Sequence, residues 1–592
     1  MSQTATSRVL AIEELVENIV EMAYRRDPSS DMATECGTLF ALATVNRYFS
    51  QLALSKLWLT LDSKGVERLA EIISDEEKQR KMSSKKGSTN AVFKMYSSFM
   101  EGMGIKHSQS SNPKVSKSSG DSEVPDNEQK RARYRTYTDL VQKLTIESSP
   151  DRDLEILEKE IRYVCNSQKD CILFPKIRLL VATEGQLDAF PFLRASLLRP
   201  TLQYLCVSLA KGDGTSNILE GLDKNCPNLT LLDTRGIPVT PGMLHLSVLP
   251  AISQMPHLTH LALSLSEDAI RYLLCAIPLV SSIRTLELSV INTGPTFPSE
   301  SLPSYPPLRS PNSQVIDLKS LNVTSSTGST FLDAIEICRK QLIHVEDARG
   351  ITCFPSPSSQ VSTVMERVSK TWPDLTKLSY VDVDLNQFRL YYDRGMLEPC
   401  IVSPESLMPL LTLRNLDTLE LLPFGPFMLH PAFLDSLAAS CPLLSYCVFA
   451  ADKRYPAADS DEAQWTLRFT DVLAFAGKLP RLQTLSLASD ARRPPPAYTD
   501  TEESSGPGPG PVCVALEELY IGVSSIDDAS YVEALMRHSL PNLRTIWWQY
   551  KANLDLPSCL RLSLEERDIW EEVERNLELF VPPDPESPTS GP

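Results

Sequence analysis

The sequence predicts an α/β solenoid, in which short parallel strands alternate with crossover helices along a curved stack, preceded by a small all-helical domain. Three observations predict this fold. The phrase apolar-Pro-x-Leu-x-x-Leu-x-Leu recurs, an amphipathic stretch precedes each copy, and residues 9–23 carry apolar side chains at helical spacing. Repetition of one strand-plus-helix unit is typical of a solenoid, which presents an extended surface to another macromolecule.

The repeated phrase is complete in Met255–Leu263 and in Leu479–Leu487, and shorter copies begin at Cys226, Trp372, Cys441 and Leu540. The first leucine of each copy, or its equivalent, falls at positions 141, 177, 202, 229, 258, 283, 318, 342, 375, 416, 444, 482, 516 and 543. The short intervals match the leucine-rich repeat, a unit of about 20–29 residues, and the longer intervals indicate insertions. The copies at 342 and 444 are the least regular.

The last two leucines of each copy stand two residues apart, so on a strand both side chains point into the core. The residues between and beside them then face outward, on the concave surface. Neighbouring parallel strands need a crossover connection, which a helix supplies. The apolar spacing predicts crossover helices at 218–222, 270–274, 332–335, 364–368, 433–437, 472–476 and 531–535. The proline after each predicted helix ends it and starts the extended chain.

Residues 1–72 are predicted to form the helical domain. A single helical stripe contains Ile12, Leu15, Val16, Ile19, Val20 and Ala23, and further apolar blocks cover 39–49 and 53–61. Residues 73–135 form a basic linker with few apolar side chains, and we expect disorder over 103–130. The basic stretch is compatible either with a solvated linker or with a nuclear localisation signal.

The solenoid is predicted over 136–580. Pro-rich insertions at 292–314 and 491–511 favour flexible loops. The acidic amphipathic segment 564–577 predicts a helix that caps the last repeat, whose open end needs a polar outer face. Residues 581–592 are Pro-rich, and we expect a disordered tail.

Composition excludes several function classes. The 592 residues carry a net charge of −17, so the bulk surface repels phosphate backbones and we expect no nucleic-acid binding. We expect no membrane association and a cytoplasmic and/or nuclear location, because no apolar run has the length of a membrane span and no signal-peptide core begins the chain. The 13 cysteines lack the paired short spacings of a zinc site, and we expect neither disulfides nor any metal or other cofactor.

No pattern of residues indicates catalysis, and we expect that the chain is not an enzyme. The sequence contains neither a phosphate-binding glycine loop nor a nucleophile-elbow motif. His257 and His260 are a close pair without a carboxylate or thiol to complete a metal set, so a surface pair is expected. The cluster Trp547, Trp548 and Tyr550 predicts one side in the core and one outward aromatic patch suited to a partner.

The N-terminal blocks and the repeats together resemble F-box proteins with C-terminal leucine-rich repeats, of the fungal type. Residues 12–20 are similar to the opening of the F-box, with Glu13 where the family usually has proline. Residues 39–49 and 53–61 are similar to its second half. In the same fungal proteins a basic, Tyr-bearing stretch leads into the first strand, as residues 134–137 do here.

The resemblance implies a substrate-recognition adaptor of an SCF-type E3 ubiquitin ligase. The helical domain would dock on the small adaptor subunit, and through it on a cullin, while the repeats would bind an unknown protein substrate. The adaptor-binding residues implied are Leu15, Ile19, Leu42, Val45, Phe49, Leu57 and Trp58. For Leu42 and Val45, packing inside the helical domain is an equal alternative. Two other functions stay open: a leucine-rich-repeat interaction scaffold without a ligase role, whose helical domain only caps the solenoid, and an enzyme activator such as a GTPase activator.

Overall fold

The protein is described by a computed structural model, which divides into two compact units: residues 1–237 with 250–258, and residues 238–249 with 259–592. The residues that the structure describes are 59–63, 65–67, 140–165, 174–209, 218–219, 221–277, 282–290, 316–325, 328–352, 358–382, 402–422, 427–449, 467–493, 511–522, 524–548 and 564–577.

The first unit contains parallel strands joined by helices. Its strands are β1 (Thr60–Leu61), β2 (Lys143–Thr145), β3 (Leu179–Thr183), β4 (Tyr204–Leu209) and β5, which begins in it (Leu231–Val239). Its helices are α1 (Asp151–Cys165), α2 (Glu184–Ala189), α3 (Pro191–Leu197) and α4 (Leu222–Asn225). Each strand pairs in parallel with the next one along the chain. Residues 238–258, which alternate between the units, contain α5 (Pro241–Met243), a π-helix (Leu244–Val248) and α6 (Leu249–Ser253).

The second unit repeats the same arrangement more often. Its strands are β6 (His260–Leu265), β7 (Thr285–Val290), β8 (Ile316–Ser325), β9 (Ile343–Thr352), β10 (Lys377–Asp382), β11 (Thr418–Leu422), β12 (Tyr446–Phe449), β13 (Thr484–Ser486), β14 (Glu518–Gly522) and β15 (Thr545–Trp548). Its helices are α7 (Glu267–Ala276), α8 (Gly328–Gln341), α9 (Ser358–Thr371), α10 (Pro404–Leu407) with a 3-10 turn (Met408–Thr412), α11 (Pro431–Ser440), α12 (Phe469–Gly477), α13 (Ala529–Ser539) and α14 (Leu564–Asn576).

The predicted leucine positions align strand by strand. In the first unit, Leu180 of β3 lies beside Leu144 of β2 and Leu205 of β4, and all three side chains are buried. In the second unit the corresponding buried row contains Leu378, Leu419, Cys447, Leu485 and Leu519. Parallel strands in chain order, with described helices between most of them, are the leucine-rich-repeat arrangement. The predicted fold class is confirmed.

The structure explains why proline follows an apolar residue in the repeated phrase. At the end of α11, the buried Cys441 donates its N–H to the carbonyl of Leu437 at 2.8 Å and closes the helix. The carbonyl of Cys441 then accepts the N–H of Leu444 at 3.2 Å, with Pro442 at the second position of this turn, where its fixed φ is favourable. The same pair of hydrogen bonds surrounds Trp372 after α9 and Leu540 after α13.

The predicted register at position 342 is wrong by three residues. Val345, and not Leu342, lies beside Leu318 of β8. Leu342 has φ = 56° and is 44% exposed, because it is the left-handed residue that ends α8 and not part of a strand. The other irregular copy is in register, since Leu444 is fully buried at the predicted position.

Two element boundaries also differ from the prediction. Helix α4 begins only at Leu222, while Ile218 and Leu219 lie in a turn, because Gly221 adopts φ = 73° and stops the helix from extending towards the N-terminus. The repeat sheet begins before residue 136: Thr60 and Leu61, which the sequence places in the third helical block, form β1 beside β2. Apart from residues 59–63 and 65–67, the predicted helical domain lies outside the described residues, as do the basic linker 73–135, the insertion 292–314, most of the insertion 491–511 and the tail 581–592.

The predicted cap of the last repeat is confirmed. Helix α14 packs on α13, and its Trp570 and Val573 are buried. The Trp570 Nε1–H donates to the carbonyl of Ser524 at 3.0 Å, and Asn576 Nδ2 donates to Glu533 Oε2 at 3.0 Å. The charged side chains of Glu565, Asp568, Glu572 and Arg575 are exposed.

Seven cysteines, Cys206, Cys226, Cys275, Cys338, Cys441, Cys447 and Cys513, are free thiols, and most of them are buried. Burial raises the pKa of Cys226 and of Cys338 to about 12, and that of Cys441 to about 11. Since alkylation requires the thiolate, we expect iodoacetamide at pH 8 to modify the partly exposed Cys206 well before these three. Peptide mass spectrometry over time tests this order. Equal labelling rates for Cys206 and Cys338 in the folded protein would contradict the described packing.

Candidate interaction surface

The predicted adaptor-binding residues lie outside the described residues: Leu15, Ile19, Leu42, Val45, Phe49, Leu57 and Trp58. The surface that the structure does describe is formed by the strand residues that alternate with the buried leucines. We call these residues the strand face. Because the strands are parallel and in register, equivalent strand-face residues on neighbouring strands lie side by side, about 4.8 Å apart. The side chains of the strand face change in character along the chain.

The first unit has a mainly apolar strand face. Leu179 and Val181 of β3 lie beside Tyr204 and Cys206 of β4, and Leu231 of β5 follows. Tyr204 is 40% exposed. A polar contact borders this strip, since Ser208 Oγ donates to Glu147 Oε1 at 2.7 Å.

The strands β6–β10 of the second unit carry a polar strand face. Their outward side chains include His260, Glu287, Asn322, Arg349 and Lys377. The carboxyl group of Asp347 is half-buried among them. Burial raises its pKa, and the neighbouring charges of Lys377 and Arg349 and a hydrogen bond from Ser320 oppose the rise. Cations and anions alternate here, so this part of the face favours no single sign of charge.

The strands β11–β15 carry a different set, which we call the aromatic–acidic cluster: Glu420, Tyr446, Glu518, Tyr520 and Trp547. All five side chains are partly buried. The Tyr520 and Trp547 rings are stacked, with centroids 5.7 Å apart and planes at 9°. These residues lie in the positions between and beside buried leucines, so the repeat register predicts that they face outward, although the sequence does not mark them as a site.

Electrostatic effects show that the members of the cluster lie close together. Burial raises the pKa of Tyr520 to about 12, and the negative charge of Glu518 adds to the rise. Burial also raises the pKa of Tyr446, with further contributions from the carboxylates of Glu420 and Glu518, while Arg349 opposes it. Two phenols and two carboxylates therefore lie within electrostatic reach of one another.

The predicted division of the tryptophan pair is confirmed. Trp548 is buried, and its Nε1–H donates to Glu574 Oε2 of α14 at 3.3 Å. Trp547 faces the opposite side of β15 and joins the cluster. Tyr550 lies outside the described residues.

Within the described ranges, no set of His, Cys, Asp and Glu side chains has an arrangement that could hold a metal ion. His257 and His260 are both exposed. None of the helices described here combines the length and the apolar character needed to cross a bilayer.

No protein-family profile matches the chain, and no curated protein matches it. Among solved structures, a chain of the Rad7 and Elc1 complex in yeast is 13% identical, with 75% of this chain and 94% of that chain covered and a TM-score of 0.31. A chain of the TLR13–ssRNA13 complex is 12% identical, with 72% and 65% covered and a TM-score of 0.24. The leucine-rich-repeat ectodomain of the plant receptor kinase GASSHO1/SCHENGEN3 from Arabidopsis thaliana, in complex with CASPARIAN STRIP INTEGRITY FACTOR 2, is 11% identical, with 69% and 47% covered and a TM-score of 0.21. At these identities and TM-scores, the likenesses establish neither a family nor a function.

Proposed function

We propose that this chain is the substrate-recognition adaptor of an SCF-type E3 ubiquitin ligase and carries no catalytic chemistry of its own. The observation that carries the proposal is the strand face of the second unit, where aromatic and charged side chains that the core does not use stand side by side on rigid strands. Aromatic and arginine side chains supply the anchors of many protein–protein interfaces. The resemblance of residues 12–20, 39–49 and 53–61 to an F-box supports the ligase half of the proposal.

In this account the chain acts by holding two proteins together. The apolar side chains of the F-box-like segment bind the small adaptor subunit and, through it, a cullin. The strand face binds the substrate protein, and other subunits transfer ubiquitin. Joining the two sites in one chain raises the local concentration of substrate at the transferase, which needs no reactive group on this protein. We place this activity in the cytoplasm and/or the nucleus.

A second candidate is an interaction scaffold without a ligase role, and one observation favours it. Thr60 and Leu61 already pair with β2, so the first strand of the repeat sheet follows Trp58 almost at once. A segment that runs directly into the sheet is suited to cap its first repeat. Deleting residues 1–58 separates the two candidates. If the segment caps the first repeat, the truncated protein should aggregate. If the segment only binds the adaptor, the truncated protein should stay soluble.

Adaptor binding tests the ligase proposal. Substituting Leu15→Asp and Ile19→Asp together places two charges on the apolar stripe, and we expect binding of the purified adaptor subunit to weaken by at least about 100-fold, because buried apolar anchors dominate such interfaces. Isothermal titration calorimetry on the full-length chain measures the loss. The matched control is Asn18→Asp, which adds a charge to the polar side of the same predicted helix and should bind like the unchanged protein.

Circular dichroism must show that the double variant keeps the helix and strand content of the repeats. Absence of adaptor binding by the unchanged chain would remove the ligase proposal and leave the scaffold. Unchanged binding by the double variant would overturn the assignment of Leu15 and Ile19.

A further inference from the structure

The aromatic–acidic cluster has a floor of small side chains. Thr484 and Ser486 of β13 lie between the large side chains of β12 and β14: Thr484 has Tyr446 on one side and Glu518 on the other, and Ser486 has Tyr520 as a neighbour. Both floor residues are buried. Tyr446 and Glu518 stand two strands apart, so their backbones are separated by about 9–10 Å. Their side chains therefore border a narrow site above β13.

One side of this site is a rigid aromatic platform. The stacked rings of Tyr520 and Trp547 hold each other, and the Tyr520 hydroxyl lies 3.5 Å from Glu518 Oε2. Thr484 Oγ1 lies at 3.5 Å from the same carboxylate oxygen. A carboxylate fixed at the edge of an aromatic surface is one half of a cation-binding arrangement, since the ring faces and the anion both attract positive charge.

The local charge is negative. The strands β11–β15 contain two carboxylates on the strand face, Glu420 and Glu518, and no lysine or arginine. Arg544, which directly precedes β15, is paired with Glu517 at 3.0 Å. Arg349 of β9 reaches the cluster electrostatically through Tyr446, and Lys377 of β10 lies beside Thr418 of β11, so both cations are on strands outside β11–β15. The site therefore lacks a counter-cation on its own strands.

We propose that the aromatic–acidic cluster binds an arginine side chain of the protein partner, with the guanidinium stacked on the Tyr520–Trp547 platform and hydrogen-bonded to Glu518. The planar guanidinium suits this site better than a lysine ammonium, because it can stack on rings while its edge donates to a carboxylate. The proposal deepens the proposed function, on which it rests for the identity of the partner as a substrate: it names an exposed arginine as the feature that the strand face recognises.

Anionic partners do not fit the cluster, since its two carboxylates would repel a phosphopeptide or a nucleic acid. A second source of arginine exists within the chain, because the basic segment contains Arg131, Arg133 and Arg135. An arginine of the partner and an arginine of this chain would bind the cluster through the same guanidinium contacts. The experiment below distinguishes these two sources.

The test uses the full-length chain and three short fluorescent peptides that differ only at their central residues, which are arginine, lysine or the neutral isostere citrulline. Fluorescence anisotropy at low and physiological salt gives the affinities. We expect the arginine peptide to bind about tenfold more tightly than the citrulline peptide, with the lysine peptide between them, as expected for one cation–π contact and one charge-assisted hydrogen bond.

Two variants should lose this preference. We expect Tyr520→Ala with Trp547→Ala to remove the platform and Glu518→Gln to remove the anion, and each should weaken arginine-peptide binding by about tenfold. The matched control is Glu267→Gln, which removes an exposed carboxylate from helix α7, outside the strand face, and should leave binding unchanged. Unchanged thermal unfolding of the variants establishes that each is folded.

Each remaining result decides the proposal. Equal affinity for the arginine and citrulline peptides overturns it, as does wild-type affinity in Glu518→Gln. If the peptides bind only after Arg131, Arg133 and Arg135 are replaced by alanine, the cluster holds the chain's own segment and the partner proposal is overturned. The arginine-peptide test does not depend on adaptor binding by Leu15 and Ile19. A chain that binds the adaptor but shows no preference for the arginine peptide would therefore contradict the arginine site and leave the ligase proposal standing.

Discussion

Replacing Phe331 with alanine is expected to lower the free energy of unfolding by about 3–5 kcal/mol, as for other fully buried aromatic residues. Phe331 of α8 fills space that a repeat leucine would normally occupy. At the corresponding position of β9 stands Gly350, between Val323 of β8 and Tyr380 of β10. The Phe331 ring covers the glycine and stacks near Tyr380, with centroids 6.2 Å apart. Denaturant unfolding followed by circular dichroism measures the loss.

The reciprocal change provides the control. A Cβ on Gly350 would approach the Phe331 ring to 2.6 Å, so Gly350→Leu, which restores the repeat consensus, should destabilise by about 1–3 kcal/mol or more. In the Phe331→Ala background the same leucine enters the vacated space, and its cost should fall or reverse sign. A double-mutant cycle measures this coupling. Additive effects of the two substitutions would contradict the described exchange of side chains between α8 and β9.

Replacing Trp570 with alanine is expected to cost about 3–5 kcal/mol and to loosen the last repeat. Trp570 projects from α14, and its indole is fully buried. The indole N–H donates a hydrogen bond to the carbonyl of Ser524. In a repeat array each unit is stabilised by its neighbours, so loss of the cap acts first on β14 and β15 and only weakly on distant strands. Hydrogen exchange read by mass spectrometry should show faster exchange confined to residues 511–548.

A conservative substitution separates the two contributions of Trp570. Trp570→Phe keeps most of the apolar contact but leaves the Ser524 carbonyl without its donor, and we expect a cost of about 1–3 kcal/mol. Uniformly faster exchange throughout the second unit, or no change in residues 511–548, would be inconsistent with a local cap.

The sequence predicts the buried half of each repeat well and the connecting segments less well. Pairs such as Leu378 and Tyr380, or Leu419 and Leu421, stand two residues apart on a strand, and burial of one face imposes that spacing. The error at 342 arises because both Leu342 and Val345 are apolar, so hydrophobicity alone allows either register. The backbone settles the choice: α8 needs a left-handed residue at its end, and that residue is Leu342.

The candidate interaction surface is predictable only in part. The register assigns Tyr446 and Tyr520 to outward positions, and the doubled tryptophan marks Trp547. No local pattern shows that Tyr446 lies across β13 from Glu518 and Tyr520, which follow it more than 70 positions later in the chain. Their meeting depends on the lateral stacking of strands, which insertions of different length separate along the chain. The start of the sheet at Thr60 was also hidden, because Leu57 to Leu61 fits both a helical block and a short strand.

Hydrogen exchange of the full-length chain, with and without the purified adaptor subunit, tests the central claim that separate surfaces bind the adaptor and the substrate. We expect slower exchange within residues 12–58 and no change in strands β11–β15, where Tyr446, Tyr520 and Trp547 stay available for a partner. Slower exchange across β11–β15 on adding the adaptor, or no change within 12–58, would contradict it.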